Sequence, residues 1–357
     1  MNSSAEPFFY DRSGRRYEIS SPRWRGDDGT PLAVSPMPGI APAQIVTSER
    51  SLWRYQAVIP VPARHRISLG EGATPMVPLG WDGRRVHFKL EWFNPTSSFK
   101  DRGVAVMMSH LAGQGVTKVL EDSSGNGWSA VAAYCAAAGL GAKILVPELT
   151  SAAAIRQSAQ LTYASHNWHP FFLQGTKTVA YEMWEDLGFR APDNVVLVAG
   201  AGSNVLGCDI AFGELLGAGR IERLPRLLIG QPEHWATIAD TCNGLDPADR
   251  GPREPTIAEG AAIADPVRLP EAVAAIRRSG GAAVAVPDSA IGTAVRKLAA
   301  RGLYAEPTSC VAVAALDHFL AEGVIAADET TVVVLTGSGL KSSEQMARVF
   351  DRSPAVE

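Results

Sequence analysis

The sequence predicts an α/β fold of open, mostly parallel sheets wrapped by helices. The run 195–198 is apolar at every position, which is typical of a strand that a parallel sheet buries on both faces. A strand over 116–121, an alanine-rich helix over 128–138 and a strand over 142–146 follow one another as in a βαβ unit. Alternating strands and helices of this kind define an α/β architecture.

Size, composition and charge describe a globular protein of two domains. The chain has 357 residues, 46% hydrophobic and 20% charged. A net charge of -4 gives no electrostatic reason to expect nucleic acid or a membrane as a partner. The four cysteines are far apart, so we expect buried thiols in a reducing cytoplasm rather than disulfides. We see neither a signal-like N-terminal segment nor an apolar run long enough to span a bilayer.

A predicted strand at 86–91 leads into a turn that ends in a lysine. Asn94-Pro95 predicts the turn, because proline moves the residue before it out of the helical region. An apolar run begins at Gly103, so Lys100 should lie near a helix N-terminus, where the helix dipole favours a neutral amine. Such a lysine is a candidate Schiff-base nucleophile. A solvated surface lysine is the commoner outcome for this residue type.

Two loops rich in glycine and serine are candidate anion sites. Residues 122–127 join the strand 116–121 to the alanine-rich helix, and residues 199–207 follow the strand 195–198. Backbone N–H groups at the start of a helix bind anions, and glycine lets the backbone approach them closely. The first loop suits a substrate carboxylate, or it is simply a capped turn. The second suits a phosphate, although a glycine-rich loop alone could also cradle a nucleotide.

The rest of the chain continues the alternation of helices and strands. The polar, proline-rich passage 231–263 is long for a connection, so we expect it to cover an active site or a dimer surface. His166 and His169 lie close together, but no third ligand is nearby, and a pocket wall is a better prediction than a metal site. Further strands are predicted at 227–229, 282–286 and 331–335, and further helices at 151–164, 270–278, 288–298 and 310–320.

Four segments together resemble one family of enzymes. Asn-Pro-Thr-Ser-Ser-Phe-Lys-Asp-Arg-Gly at 94–103 resembles the lysine motif of threonine synthases, within the pyridoxal-phosphate (PLP) enzymes that include serine and threonine dehydratases and tryptophan synthase β. Ser97 departs from that motif, because those enzymes usually carry glycine there. Ser-Ser-Gly-Asn at 123–126, the loop 200–207 and Leu-Thr-Gly-Ser-Gly-Leu-Lys at 335–341 follow in the same order. The resemblance covers nearly the whole chain and implies a tryptophan synthase β-like PLP fold, with two sheets and the cofactor in the cleft between domains.

The resemblance implies a role for individual residues. Lys100 would hold PLP covalently and act as the base at Cα. The Thr336 hydroxyl would face the pyridine nitrogen, and Glu306 would lie near the ring. A hydroxyl does not hold that nitrogen protonated as a carboxylate would, which favours elimination and replacement at Cβ or Cγ over transamination. The other assignments are Asn126 for the cofactor's phenolic oxygen, Gly200, Ala201, Gly202, Ser203 and Asn204 for its phosphate, and Ser123, Ser124, Gly125 and Gly127 for the substrate.

The first 64 residues resemble a zinc ribbon that has lost its ligands. Many threonine synthases begin with two Cys-x-x-Cys pairs, and the four ligand positions fall here on Tyr10, Ser13, Arg25 and Asp28. None of these is a thiolate, so we predict that the segment holds no metal. An irregular N-terminal arm that matches the ribbon by chance is the alternative.

The resemblance also implies a division of the chain and a kind of reaction. Residues 1–64 would form the ribbon-like arm, 65–112 with 195–357 a large cofactor domain, and 113–194 a small substrate-loop domain. The chain would be a cytoplasmic, homodimeric lyase acting on an amino acid with a leaving group at Cγ or Cβ. The nearest activity converts O-phospho-L-homoserine to threonine and phosphate.

The substrate stays open at the level of sequence. The segments between 151 and 180 lack residues typical of threonine synthases, although Arg156 and Lys177 could supply the cations that a phosphate ester needs. One rival is β-elimination or β-replacement, in the manner of serine and threonine dehydratases or of cysteine and cysteate synthases. A rival of another class is a non-catalytic paralogue that binds PLP or an amino acid. A nucleotide-binding oxidoreductase is possible only if the glycine-rich loop is considered alone.

Overall fold

The computed structural model describes residues 6–123, 125–145 and 161–351, and internal contacts group them into two compact units. This grouping puts the helix that begins at Lys100 together with residues up to 182, whereas the division predicted from the sequence puts it with 195–357. The predicted domain boundaries stay a prediction. Unit 1 is drawn from Met1–Ala73, Asn94–Glu182 and Ile210–Glu222, and unit 2 from Thr74–Phe93, Met183–Asp209 and Arg223–Glu357.

Strands and helices are numbered in chain order. The strands are β1 (Phe8–Tyr10), β2 (Arg16–Glu18), β3 (Ala33–Val34), β4 (Met76–Trp81), β5 (Arg84–Leu90), β6 (Lys118–Glu121), β7 (Gly141–Ile144), β8 (Thr162–Tyr163), β9 (Asn194–Val198), β10 (Arg226–Pro232), β11 (Ala282–Val286) and β12 (Thr331–Leu335). The helices are α1 (Lys100–Gly113), α2 (Asn126–Ala138), α3 (Pro170–Thr176), α4 (Thr178–Asp186), α5 (Ser203–Gly217), α6 (Thr237–Cys242), α7 (Leu269–Arg278), α8 (Asp288–Ala299), α9 (Pro307–Ala321) and α10 (Ser343–Asp351).

Unit 1 contains a parallel sheet in the order β7-β6-β8 and an antiparallel sheet in the order β2-β1-β3. Helix α1 packs against α2 and α3 and is buried from Asp101 to Leu111, its polar side chains included. Two glycines allow the close crossing of α1 and α3. A Cβ at Gly103 would overlap the ring of Phe172, and one at Gly175 would overlap the carbonyl of Arg102.

Unit 2 is built on a six-stranded sheet in the order β11-β10-β9-β12-β5-β4. All neighbours pair in parallel except β4 and β5. Strand β9 is buried at every position, and α9 packs against β9, β10 and β12. Gly230 lets α9 lie close to the sheet, because a Cβ there would come within 2.8 Å of the Val311 carbonyl oxygen. The α/β class with mostly parallel sheets is therefore confirmed.

The predicted elements are confirmed within the described residues, apart from the end of one helix. The helix predicted over 151–164 lies outside the described residues as far as 160, but Thr162 and Tyr163 form β8, which pairs in parallel with β6. Threonine and tyrosine favour strands, and pairing with β6 outweighs the local pattern. All four cysteines are free, and three of them are buried. No helix in the described part of the chain has the length and apolar character needed to cross a membrane.

Candidate active site

Lys100 is the first residue of α1, as the sequence predicts. The turn before it is closed by the Ser97 N–H, which donates to the Asn94 carbonyl at 2.8 Å. The Asp101 carboxylate accepts from the backbone N–H of Thr96 at 2.7 Å and from its hydroxyl at 2.6 Å. These bonds tie the turn to the first helical residues and fix where Lys100 leaves the backbone.

The conformation of Ser97 explains why the lysine motif of threonine synthases usually has glycine at this position. Its φ is 63°, in the left-handed region. That conformation costs a residue with a Cβ about 1 kcal/mol or more, and glycine escapes the cost. The turn therefore keeps the geometry of a glycine turn although the chain has serine there.

The Lys100 amine lies over aromatic rings. Its Nζ is 4.8 Å from the ring centroid of Phe99 and 5.5 Å from that of Phe172, which is completely buried. Both distances are within the range of cation–π contact. Lys100 is half-buried, so it is not the solvated surface lysine that its residue type alone would favour.

The Ser123–Gly127 loop leaves the end of β6 and starts α2. Gly125 has φ 73° and ψ -132°, a conformation that needs glycine, and no side chain at that position caps the helix. At Gly127 a Cβ would come within 2.6 Å of the Ser123 hydroxyl oxygen. Ser124 lies outside the described residues. The loop thus presents the start of a helix without a side-chain N-cap, which is an anion-binding arrangement.

A buried hydrogen-bonded pair that the sequence did not predict lies at the base of this loop. His166 Nδ1 is 2.8 Å from Oε1 of Glu121, the last residue of β6, and the His166 N–H donates to Glu121 Oε2 at 3.3 Å. The His166 ring also packs on the loop, since its Cε1 would lie 2.8 Å from a Cβ at Gly127. An acid directly after Val119 and Leu120, at the end of the strand before the loop, was the signal that could have revealed it.

The charge of Lys100 acts on both members of this pair. Burial raises the pKa of Glu121 well above its usual value, and the nearby positive charge of Lys100 works against that rise. Burial lowers the pKa of His166, and Lys100 lowers it further. The structure therefore brings Lys100 and the base of the Ser123–Gly127 loop into one electrostatic neighbourhood of unit 1.

In unit 2 the glycine-rich loop follows β9 and runs into α5, a helix of 15 residues. Gly202 has φ 87°, and a Cβ at Gly200 would come within 3.1 Å of the Gly260 carbonyl oxygen. Side chains at these positions would strain the turn or crowd the neighbouring backbone. The bare backbone before a helix N-terminus suits a phosphate.

At the end of β12, the Thr336 hydroxyl belongs to a buried network in unit 2. It donates to Glu306 Oε1 at 3.2 Å and lies 2.9 Å from the Ser309 hydroxyl. The Gly337 N–H donates to the Ser309 hydroxyl at 2.9 Å. A Cβ at Gly337 would collide with the Glu306 carboxylate, so glycine is required for this arrangement.

Comparison with known proteins identifies the family. The sequence profile described as "Pyridoxal-phosphate dependent enzyme" matches residues 67–162 and 149–337. The chain belongs to this family. The threonine synthase of Methanocaldococcus jannaschii is 32% identical over 346 residues, which cover 87% of this chain and 85% of the relative. The threonine synthase of Methanosarcina acetivorans is 30% identical over 341 residues, which cover 86% and 84%. The prediction of a threonine synthase-like PLP enzyme is confirmed.

Solved structures of the PLP enzymes support the fold. Threonine synthase from Escherichia coli superposes with a TM-score of 0.72 at 16% identity, covering 98% of this chain and 92% of that chain. Maize serine racemase gives a TM-score of 0.60 at 19% identity, covering 78% and 92%. At such low identity these similarities concern the fold alone. The predicted tryptophan synthase β-like PLP fold is confirmed.

The residues present fit PLP, the cofactor of this family. Unit 1 offers a half-buried lysine over an aromatic floor beside an anion-binding loop. In unit 2, the loop with Gly200 and Gly202 leaves bare backbone before the N-terminus of α5, which suits the cofactor's phosphate. The hydroxyl of Thr336 is a small polar group of the kind that can face a pyridine nitrogen.

One hypothesis about the PLP enzyme's substrate is wrong. Lys177 is completely buried, and its Nζ donates to both carboxylate oxygens of Glu214, at 2.9 and 3.0 Å. The Tyr181 hydroxyl bonds to the same carboxylate. Lys177 therefore holds this unit together and is not a cation for a substrate phosphate. Arg156, the other cation considered, lies outside the described residues.

The N-terminal segment of the PLP enzyme is organised by a carboxylate. Asp11 accepts hydrogen bonds from the N–H and hydroxyl of Ser13 at 3.0 and 2.6 Å, from the Arg15 N–H at 3.0 Å and from the Tyr17 hydroxyl at 2.6 Å. These bonds, that of the Ser13 hydroxyl above all, lower the pKa of Asp11. No group of three metal-ligating side chains occurs within residues 6–123, 125–145 and 161–351.

Proposed function

We propose that this chain is a PLP-dependent lyase acting on an amino acid with a leaving group at Cγ or Cβ. Its first candidate substrate is O-phospho-L-homoserine, converted to threonine and phosphate. One observation carries the proposal: Lys100 starts α1 over a buried ring, and its charge acts on the pair at the base of the Ser123–Gly127 loop. The names of the curated relatives support this substrate.

Lys100 is assigned two tasks. Its amine would hold the cofactor at the aldehyde carbon, and with substrate bound the same amine would take the proton from the substrate Cα. PLP, when bound, supplies the electron sink that makes this proton acidic. The turn at Ser97 and the hydrogen bonds from Thr96 to Asp101 hold the backbone on both sides of the lysine in place.

The Ser123–Gly127 loop is assigned to the substrate carboxylate. The start of α2 offers backbone N–H groups and the positive end of the helix dipole. The His166 ring packs against Gly127 and so supports the loop. The residues assigned are Ser123, Ser124, Gly125 and Gly127 for the substrate, and Asn126 for the cofactor's phenolic oxygen.

Residues of unit 2 are assigned to the phosphate and the ring nitrogen of the cofactor. The bare turn before α5 suits the phosphate, because its glycines keep side chains away and the helix adds a favourable dipole. Thr336 is assigned to the pyridine nitrogen. The phosphate residues are Gly200, Ala201, Gly202, Ser203 and Asn204.

Elimination or replacement at Cβ is the second candidate, and Lys177 favours it. A phosphate ester needs cationic or N–H donors around it, and the Lys177 ammonium is already paired with Glu214. The loop also has Asp122 at its base, and a carboxylate there would repel a phosphate. A serine- or threonine-like substrate makes no demand for those cations.

The deciding experiment measures phosphate release from O-phospho-L-homoserine by the PLP-loaded protein, with threonine followed in the same reaction. Release with matching threonine would establish a threonine synthase. No release, while serine derivatives still shift the cofactor absorbance and yield a keto acid, would establish the second candidate.

Lys100→Ala tests the lysine itself. Both its tasks are lost, so we expect activity on the accepted substrate to fall by about 10³-fold or more. Borohydride should attach the cofactor covalently to the wild-type protein at Lys100 and leave the variant unlabelled. Lys118→Ala, at an exposed lysine of the same unit, is the matched control and should behave as wild type. Full activity in Lys100→Ala would contradict the mechanism.

We also infer a cytoplasmic homodimer. The family resemblance supports the dimer, and the free, buried thiols of Cys135, Cys208 and Cys310 support a reducing compartment. Light scattering of the purified protein at micromolar concentration tests the assembly, and a monomeric mass would contradict it. Subcellular fractionation tests the location.

A further inference from the structure

Three half-buried aromatic side chains form a cluster between the N-terminal segment and the turn that carries His166. The Trp24 ring contacts the ring of Tyr163 edge-on, with centroids 4.7 Å apart and planes at 68°. It contacts the ring of Trp168 in the same way, at 5.2 Å and 87°. These are the distances and angles of favourable edge-to-face pairs. The guanidinium of Arg25, at one of the ligand positions of a zinc ribbon, lies 4.7 Å from the Trp24 ring centroid.

Tyr163 connects this cluster to the start of the substrate loop. It lies on β8, which pairs in parallel with β6, and its hydroxyl donates to Asp122 Oδ2 at 2.6 Å. Asp122 directly precedes Ser123, the first residue assigned to the substrate. Because the Tyr163 ring packs against Trp24, its hydroxyl stays in one place. The hydroxyl in turn holds the loop at the point where the chain leaves β6.

Trp168 connects the cluster to the other end of the loop. The N–H groups of Trp168 and His169 donate to the Ser165 carbonyl at 3.1 and 2.8 Å, which closes a turn around His166. The His166 ring packs against Gly127, where a Cβ would lie 2.8 Å from the His166 Cε1. The contact between Trp168 and the N-terminal segment therefore fixes the turn whose histidine supports the loop.

We propose that Trp24 is a positioning residue for the Ser123–Gly127 loop and that it thereby sets how tightly the enzyme binds the substrate's α-carboxylate. This role rests on the proposed function, which assigns that loop to the carboxylate. Trp24 acts through Tyr163 at one end of the loop and through Trp168 at the other. A helix start binds an anion well only where its N–H groups converge on one point, so displacing either end weakens the carboxylate contact. The N-terminal segment then has a role in substrate binding that needs no metal.

The test compares two amines by the absorbance change that each produces in the cofactor of the PLP-loaded protein. L-Threonine is the product of the first candidate reaction and a substrate type of the second, and 1-aminopropan-2-ol is the same molecule without the carboxylate. Wild type should bind L-threonine at least about tenfold more tightly, because the N–H groups of the loop bind the carboxylate. In Trp24→Ala the dissociation constant of L-threonine should rise about tenfold, and that of 1-aminopropan-2-ol should stay within about twofold.

Conservative and control variants separate positioning from a loss of structure. Trp24→Phe keeps a ring in the cluster and should restore most of the affinity for L-threonine. Tyr163→Phe keeps its ring and removes only the hydrogen bond to Asp122, so it should weaken L-threonine binding by about fivefold. Phe8→Ala is the matched control, because Phe8 is a half-buried ring of the same segment that packs against Tyr10. Its loss should leave both affinities unchanged.

The outcomes for this role and for the proposed function are distinguishable. Equal weakening of both amines in Trp24→Ala, or wild-type affinity for L-threonine in that variant, would overturn the role of Trp24. If Trp24→Ala fails to fold, wild-type affinity in Tyr163→Phe would overturn it instead. In these cases, borohydride labelling at Lys100 would show that the proposed function still stands. A wild-type protein that binds both amines equally would overturn the carboxylate assignment and the role of Trp24 together.

Discussion

His110, on α1, is a titratable side chain enclosed by aromatic rings. Its ring stacks on Phe171 with centroids 3.5 Å apart and planes at 14°, and the side chain is 8% exposed. Burial lowers the pKa of His110 to about 2, with a smaller contribution from His169. The unfolded chain takes up a proton near pH 6.5 and the native state does not, so stability is lost as the pH falls below that value.

This difference predicts how a variant responds to acid. Between pH 7 and 5.5, protonation of unfolded His110 should lower the free energy of unfolding by about 1 kcal/mol. His110→Gln loses the ring contact and should be less stable at pH 7, but it should lack this part of the acid response. Urea unfolding at the two pH values measures it. His318→Gln, at an exposed histidine, should keep the wild-type response, and an equal loss in wild type and His110→Gln would refute the argument.

The crossing of α1 and α3 is the main feature at the scale of elements, because it places Lys100. Gly175 allows the crossing, since a Cβ there would overlap the Arg102 carbonyl. Arg102 in turn donates to both oxygens of Glu182, at 2.6 and 2.7 Å, and joins α1 to α4. A helix held by backbone contact and a buried ion pair gives the lysine a rigid base.

Gly175→Ala should therefore separate the two helices. We expect the free energy of unfolding to fall by about 2 kcal/mol or more, because the backbone must shift to admit the methyl group. Gly213→Ala is the matched control. Gly213 lies within α5 with nothing near its missing Cβ, so alanine there should raise stability by up to about 1 kcal/mol. Chemical denaturation measures both, and equal effects would contradict the close crossing.

At the scale of the whole molecule, the N-terminal segment contributes a small sheet of its own to unit 1. Asp11, at its centre, occupies the role that metal ligands have in a zinc ribbon, because one carboxylate gathers four hydrogen bonds from the surrounding turns. Hydrogen bonds to Asp11 connect the turns of this segment, and Phe9 packs in the core of unit 1. The stability of the segment should then depend on Asp11 and not on a metal.

Chelation and substitution test this point together. EDTA should leave the melting temperature of the protein unchanged, because the hydrogen bonds to Asp11 need no ion. Asp11→Ala should lower the melting temperature, since four donors would lose their acceptor. Asp328→Ala, at an exposed aspartate, is the control. A fall in melting temperature with EDTA that added zinc reverses would contradict the prediction.

The fold was readable from the sequence where local patterns determine structure. The predicted strands 282–286 and 331–335 have the same bounds as β11 and β12 of the structure. Strands of a parallel sheet are short apolar runs between turn residues, and such runs are visible in the sequence. β8 was missed because its two residues become a strand only by pairing with β6. No pattern within the segment itself reveals such a partner.

The residues of the candidate site also fall into those that local sequence patterns predict and those that they do not. Lys100 and the two loops were predictable because glycine, proline and helix starts act over a few residues. Glu121 and His166 are 45 residues apart in the chain, and Glu306 and Thr336 are 30 apart. Their contacts depend on the order of strands in each sheet, which no local pattern specifies. The role considered for Lys177 failed for the same reason.

Two buried thiols can report the opening of the two units separately. Cys135 is in unit 1 and Cys310 is in unit 2, and burial raises the pKa of each, that of Cys135 to about 12. Only the thiolate reacts with an alkylating agent, so each cysteine is inert while its surroundings stay closed. The alkylation rate of each thiol therefore measures how often its own unit opens. The measurement needs neither a label nor a mutation.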